Sequence, residues 1–137
     1  MNLYSRRIVG WAMDRRISRY LVVDAMAMAL ARRDKPVIHH SDRGVQYTSD
    51  DFRDLRSKHG IECSMSARGS CYDNAPVESF FSLLKRERIQ RQTYKTREEA
   101  KADIFDYIEV FYNRKKRHGY LGYTSPVQFE KQAVSLN

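Results

Sequence analysis

The chain has 137 residues, 25 Lys and Arg against 17 Asp and Glu, a formal charge of +8 and a pI near 9.7. That length suits one domain, and 42% hydrophobic with 12% aromatic residues is enough for a core and too much for a disordered segment. The longest apolar run, Tyr20 to Ala31, is broken by Asp24 and falls short of the roughly 20 residues of a membrane span. Arg6, Arg7 and Asp14 interrupt any early signal-peptide core. Cys63 and Cys71 are too few for a disulfide framework or a cysteine zinc site. The composition thus predicts a soluble, cytoplasmic protein whose excess positive charge points to polyanions, nucleic acid first.

In chain order, Ile8, Val9, Trp11 and Met13 form a strand-like run bracketed by arginines. Ser18 is a candidate N-cap for a helix reaching Arg33, so apolar that it should be buried against a sheet. Residues 36–40 predict a short buried strand, and Ser41-Asp42-Arg43-Gly44 a turn directly after it. A second helix starts at Ser49-Asp50-Asp51 and closes at His59-Gly60, and Ile61 to Met65 predict another strand. Residues 66–74 form a Gly/Ser-rich loop. A third helix begins near Ala75 with Pro76 in its first turn, and Phe80, Phe81, Leu83 and Leu84 are assigned to its core face. Thr96 and Glu99 predict a capping box for a fourth helix with the stripe Ala100, Ile104, Tyr107, Ile108 and Phe111. Ser125-Pro126 opens a short terminal helix. Alternating strands and helices indicate an α/β fold.

Two acids stand out. Asp42 follows a strand end, where α/β sheets place ligands, although an Asp in such a turn ordinarily satisfies backbone amides. Glu78 opens an otherwise apolar helix. It is either a first-turn acid favoured by the helix dipole or a carboxylate aimed at a metal, and Ser82 and Lys85 share its face. Paired carboxylates suit two-metal phosphoryl transfer, yet such sites ordinarily have a third, bridging acid. His39 and His40 are neighbours in a strand, so they point to opposite faces and cannot both ligate one metal. Asp73 and Asn74 can cap the third helix, and Cys71 is a plain loop cysteine. Basic clusters at 85–97 and 114–118 interleave with Tyr94, Tyr107, Tyr112, Tyr120 and Tyr123. That mixture suits a DNA backbone and unstacked bases, or it is simply a solvated basic face.

Taken together, these blocks resemble the C-terminal part of OrfB-type insertion-sequence transposases, relatives of retroviral integrases. His40 to Ser49 is similar to the block holding the family's second acid, and Asp73 to Phe81 followed by Leu84-Lys85 to the block holding the third. Tyr112-Asn113-Arg114 through His118, then Leu121 to Pro126, resembles the C-terminal signature. Thirty-five residues separate Asp42 from Glu78, as in the family's D-35-E arrangement, and Lys85 falls at the family's basic position seven after the glutamate. Leu3 to Trp11 looks like the strand after the first catalytic acid.

The resemblance implies an RNase H-like (integrase catalytic core) fold missing its leading strand or strands. Residues 1–95 would be the partial core and 96–137 a helical basic part of the same domain. Asp42 and Glu78 would be catalytic and would hold Mg²⁺ or Mn²⁺, weakly without the first acid. Lys85, Arg68, Asn74, Arg114, Lys115 and Arg117 would contact DNA, with the loop 66–74 closing on a DNA end. The partners implied are insertion-sequence ends and target DNA, and full-length transposase in an oligomer, in a bacterial cytoplasm and nucleoid. The expected object is an N-terminally truncated transposase for DNA integration and recombination, inactive alone. The alternatives are a non-catalytic DNA-binding or transposase-interacting fragment, a ribonuclease H-like nuclease, and a product without a role.

Overall fold

The computed structural model describes residues 1–32, 38–41, 44–65 and 74–136. Its elements run α1 (Arg19–Arg32), β1 (Ile38–Ser41), α2 (Asp50–Lys58), β2 (Glu62–Met65), α3 (Ala75–Glu87), α4 (Arg97–Phe105) and α5 (Pro126–Ser135). The chain divides into two units, residues 9–75 and residues 1–8 with 76–137.

In the unit 9–75, β1 and β2 pair in parallel, with Ile38 opposite Glu62 and Ser41 opposite Met65. Parallel strands need a crossover, and α2 supplies it. Ser49 caps α2 by accepting from the Phe52 N–H, and Asp50 and Asp51 sit at the positive end of the helix dipole. Met26 of α1, Phe52 of α2 and Ile61 form the core, with Val22, Val23, Leu30, Tyr47 and Leu55 packed on it. α1 starts just after Ser18, as expected. Of its residues only Met26 is buried, so the expected full burial against a sheet is not what forms. A four-residue, two-stranded sheet is too small to cover the whole helix. Instead the backbone at Gly10 lies against it: a Cβ there would overlap the Ala25 carbonyl oxygen and meet the Ala29 backbone nitrogen at 2.9 Å. The run at 8–13 joins no ladder among the described residues. Apolar alternation proposes a strand, but a ladder partner makes one.

In the other unit, α3 buries Phe80 and Leu84. Phe81, expected in the core, is 51% exposed. It lies three positions after Glu78, and residues three apart share a helix face, so Phe81 goes with the polar stripe. α4 is capped by Thr96, which accepts from the Glu99 N–H at 3.1 Å. The Glu99 carboxylate reaches back to the Lys95 N–H rather than to Thr96 itself, so half of the expected capping box forms. A reciprocal box does close α5, between Ser125 and Gln128.

α4 continues as a π-helix over Asp106–Tyr112. The Asn113 N–H bonds the Ile108 carbonyl at 3.0 Å and the Lys116 N–H the Phe111 carbonyl at 2.8 Å, both five residues back. The extra residue per turn rotates Tyr112 and Asn113 inward, where a plain α-helix would carry the stripe from Ile108 through Phe111. Tyr107, Ile108, Tyr112 and Asn113 are buried. The Phe80 ring meets Tyr112 edge-on at 4.9 Å. Residues 5–8 are tied in beside them. Ser5 donates to Glu130 at 2.6 Å, Arg7 pairs with Glu130 at 2.7 Å, and the Asn113 side chain bonds both backbone groups of Ile8.

Candidate nucleic-acid interface and polar stripe

Glu78, Ser82 and Lys85 all emerge on the exposed face of α3, opposite the buried Phe80 and Leu84. Helical spacing carries this directly: positions 80 and 84 face the core, so 78, 82 and 85 are turned away. The far end of α3 is clamped. Glu87 accepts from the Tyr107 hydroxyl and from Lys116 Nζ, each at 2.7 Å. Burial works against the Glu87 charge, yet the bonds from Lys116 and Tyr107 hold its carboxyl below the usual range. Burial, then the bond to Glu87, pushes the Tyr107 hydroxyl up. Arg88 adds a second clamp, on Asp103 at 2.7 Å and Asp106 at 3.4 Å.

Asp42 and Arg68 lie outside the described residues, as do Cys71 and Asp73. Asn74 is half-buried immediately before α3. Among the described residues no three His, Cys, Asp or Glu side chains converge as a metal set. By donor chemistry Glu78 fits a hard cation such as Mg²⁺, since its exposed carboxylate offers oxygen ligands. Glu78 is one such donor, and the described residues gather no set of three around it.

The two histidines point as their strand spacing predicts. His39 packs on Phe52 at 5.2 Å and Tyr47 at 5.8 Å, and its Nδ1 is buried without a hydrogen-bond partner. Burial first, then the nearby Arg56 charge, lowers its pKa to about 4. His40 meets Ser64, its partner across the sheet, at 2.9 Å. His39 is therefore a structural histidine.

The basic run at 114–118 is not one surface. Arg114, Lys115 and Arg117 are exposed. Lys116 turns inward to Glu87, and the His118 ring packs edge-on against Tyr112 at 4.9 Å. The interleaved tyrosines divide in the same way. Tyr107 and Tyr112 are core residues, and burial pushes the Tyr112 hydroxyl up to about 12. Tyr94 donates to Asp103 at 2.6 Å. Only Tyr120 and Tyr123 of the five are open to solvent, at 71% and 74%. Residue counting along the sequence did not separate these groups, and it gave Asn113 no structural role beyond its place in the C-terminal signature. The one available signal was an Asn between an apolar stripe and a basic run.

No helix among the described residues is long and apolar enough to cross a membrane. Comparison with known proteins gives matches to two integrase core domain families, one over residues 1–71 and the other over residues 78–134. The chain is 48% identical to the transposase InsF for insertion sequence IS3fB of Escherichia coli (strain K12), over 98% of this chain and 48% of that protein. It is equally similar to the InsF transposase for IS3 of Escherichia coli O111:H-. A 31 kDa protein of insertion element IS600 from Shigella sonnei is 44% identical over 96% of this chain and 49% of its own length. The chain thus spans about half the length of the relatives it matches. These matches bear out the resemblance to insertion-sequence transposases drawn from the motifs.

Proposed function

The chain belongs to the integrase core domain family, and from that premise we propose that it is the second- and third-acid portion of a transposase catalytic core that acts on DNA. On this reading the fold is RNase H-like. Residues 1–95 carry the partial core and 96–137 a helical basic part of the same domain. The observation that supports it most is the stripe on α3, where Glu78 and Lys85 face solvent on a helix whose opposite side is locked into aromatic packing.

The roles follow from chemistry. Asp42 and Glu78 are the carboxylates that would hold Mg²⁺ or Mn²⁺. When bound, such ions supply charge that stabilises the attacking and leaving oxygens of a phosphodiester displacement. Lys85, two helical turns from Glu78, binds a phosphate on the same face. Arg68 and Asn74 contact the DNA end. Arg114, Lys115 and Arg117 hold the DNA backbone in a sequence-independent way. With Asp42 and Glu78 as the two matched carboxylates, residues 1–137 by themselves would hold a dication weakly and would not join DNA, because two-metal transfer needs both ions held together. It would act with insertion-sequence ends and target DNA, with full-length transposase as a partner, in the cytoplasm and nucleoid of a bacterium.

The test is strand transfer on a labelled DNA end with Mn²⁺. Residues 1–137 should give no joining. A longer chain carrying an upstream acid should join, and Glu78→Gln or Asp42→Asn in it should abolish joining. Retained activity in the longer Glu78→Gln chain would overturn the assignment, and robust joining by 1–137 alone would overturn the need for a further acid. The exposed Arg114, Lys115 and Arg117 favour a second reading, a non-catalytic DNA-binding fragment. It predicts duplex binding with no activity in either chain.

A further inference from the structure

The loop His118–Thr124 is built to display two aromatic rings. An antiparallel bridge between His118 and Thr124 closes it. The His118 carbonyl accepts from the Leu121 N–H at 3.0 Å and the Tyr123 N–H at 2.9 Å, while the buried Leu121 anchors the loop. Gly122 and Tyr123 both have positive φ, 63° and 60°. Glycine adopts that conformation freely, whereas a bulky side chain does so at a cost. Tyr123 is 74% exposed, and its ring lies near Gly119, where a Cβ would be 3.9 Å from it. The second positive-φ residue other than glycine is Arg6, at 59°. Its guanidinium stands 4.2 Å over the centroid of the Tyr120 ring. Of the two costly backbone conformations, one thus belongs to the exposed Tyr123 itself and the other to the residue that covers a face of the exposed Tyr120.

Charge says what the rings face. Residues 113–125 carry Arg114, Lys115, Lys116 and Arg117 and no acid, and three of these cations are exposed. An exposed phenol ring backed by a guanidinium, three to six residues along the chain from exposed cations, matches a nucleotide, whose base stacks while its phosphate meets the charge. We propose that Tyr120 and Tyr123 form a stacking platform for unpaired DNA bases, beside a backbone track made by Arg114, Lys115 and Arg117. This rests on the DNA-acting reading above and specifies the form of DNA: frayed or single-stranded, since paired bases in a duplex hide their faces.

The test uses residues 1–137 and a single-stranded oligonucleotide carrying 2-aminopurine, with the fully paired duplex of the same sequence as comparison. Stacking should quench the 2-aminopurine. Tyr120→Leu and Tyr123→Leu should each weaken single-strand binding by about tenfold, while the Phe variants stay within about twofold, because a phenyl ring also stacks. Duplex affinity should not change in any of them. In the unaltered protein, photo-cross-linking to 5-iodouracil DNA should map to Tyr120 or Tyr123, a readout independent of how the variants fold.

Unchanged quenching in the double Leu variant, equal losses on duplex and single strand, or cross-links that map elsewhere would each overturn the platform. So would Leu variants that alter self-association and leave single-strand binding intact, because the tyrosines would then be a protein-docking surface. Salt-sensitive duplex binding without quenching would sink this inference alone. Failure to bind either form would sink the DNA-acting reading with it.

Discussion

The Asn113 side chain pairs with Ile8 as a strand would. Its Oδ1 accepts from the Ile8 N–H and its Nδ2 donates to the Ile8 carbonyl, both at 2.9 Å, and both residues are buried. One amide thereby satisfies two backbone groups that water cannot reach. Asn113→Ala leaves both unpaired and should cost about 2–4 kcal/mol in urea denaturation. Asn113→Asp gives a sharper signature. At neutral pH it buries a carboxylate that cannot donate to the Ile8 carbonyl. Protonated, the same group can accept from the N–H and donate to the carbonyl. Burial raises its pKa, so the lost stability should return as pH falls. An Asp variant with a pH profile parallel to that of the native chain would refute the pairing.

Gly10 should tolerate no side chain. A Cβ there meets backbone atoms of α1 at Ala25 and Ala29, which cannot swing aside. Gly10→Ala should lower stability by about 1–3 kcal/mol through forced displacement, and Gly10→Val by more. Thermal melts of the two variants check the order. An unchanged midpoint in both would mean that this segment does not rest on α1.

Acid should destabilise the unit 9–75 through His39. Its folded pKa, about 4, lies below the ordinary value of 6.5. The unfolded chain therefore binds the proton first as pH falls, and stability drops between pH 6.5 and 4. His39→Phe, which keeps an aromatic ring against Phe52 and Tyr47, should flatten the stability profile in that window. A native-like slope in the variant would show that the imidazole is not the group responsible.

Binding to random duplex DNA should fall steeply with salt. Each of Arg114→Ala, Lys115→Ala and Arg117→Ala should lower the slope of log K against log salt by about 0.9, one phosphate contact apiece. Lys116→Ala should behave differently. It is engaged with Glu87, so its loss should reduce stability and leave the salt slope nearly unchanged. Equal effects at all four positions would mean that the run acts as one undifferentiated charge.

The sequence by itself determined the local elements. Caps, proline placement and apolar spacing located the starts of α1, α2, α3 and α5 to within a residue or so, because those signals act between near neighbours. It also determined the stripe of Glu78, Ser82 and Lys85, since helical period alone turns those positions away from Phe80 and Leu84. What depends on a distant partner was decided only in three dimensions. The run at 8–13 looks like a strand, but Ile8 takes its hydrogen bonds from a side chain 105 residues away. The π-helix replaced Phe111 by Tyr112 on the buried face, a one-residue shift that no fixed helical period contains. Likewise, neighbouring cations and tyrosines that read as one surface were sorted by partner: Lys116 went to Glu87 and Tyr112 to the core, leaving Arg117, Tyr120 and Tyr123 in the water. Spacing fixes which way a residue faces on its own element, and packing then decides whether that face meets solvent.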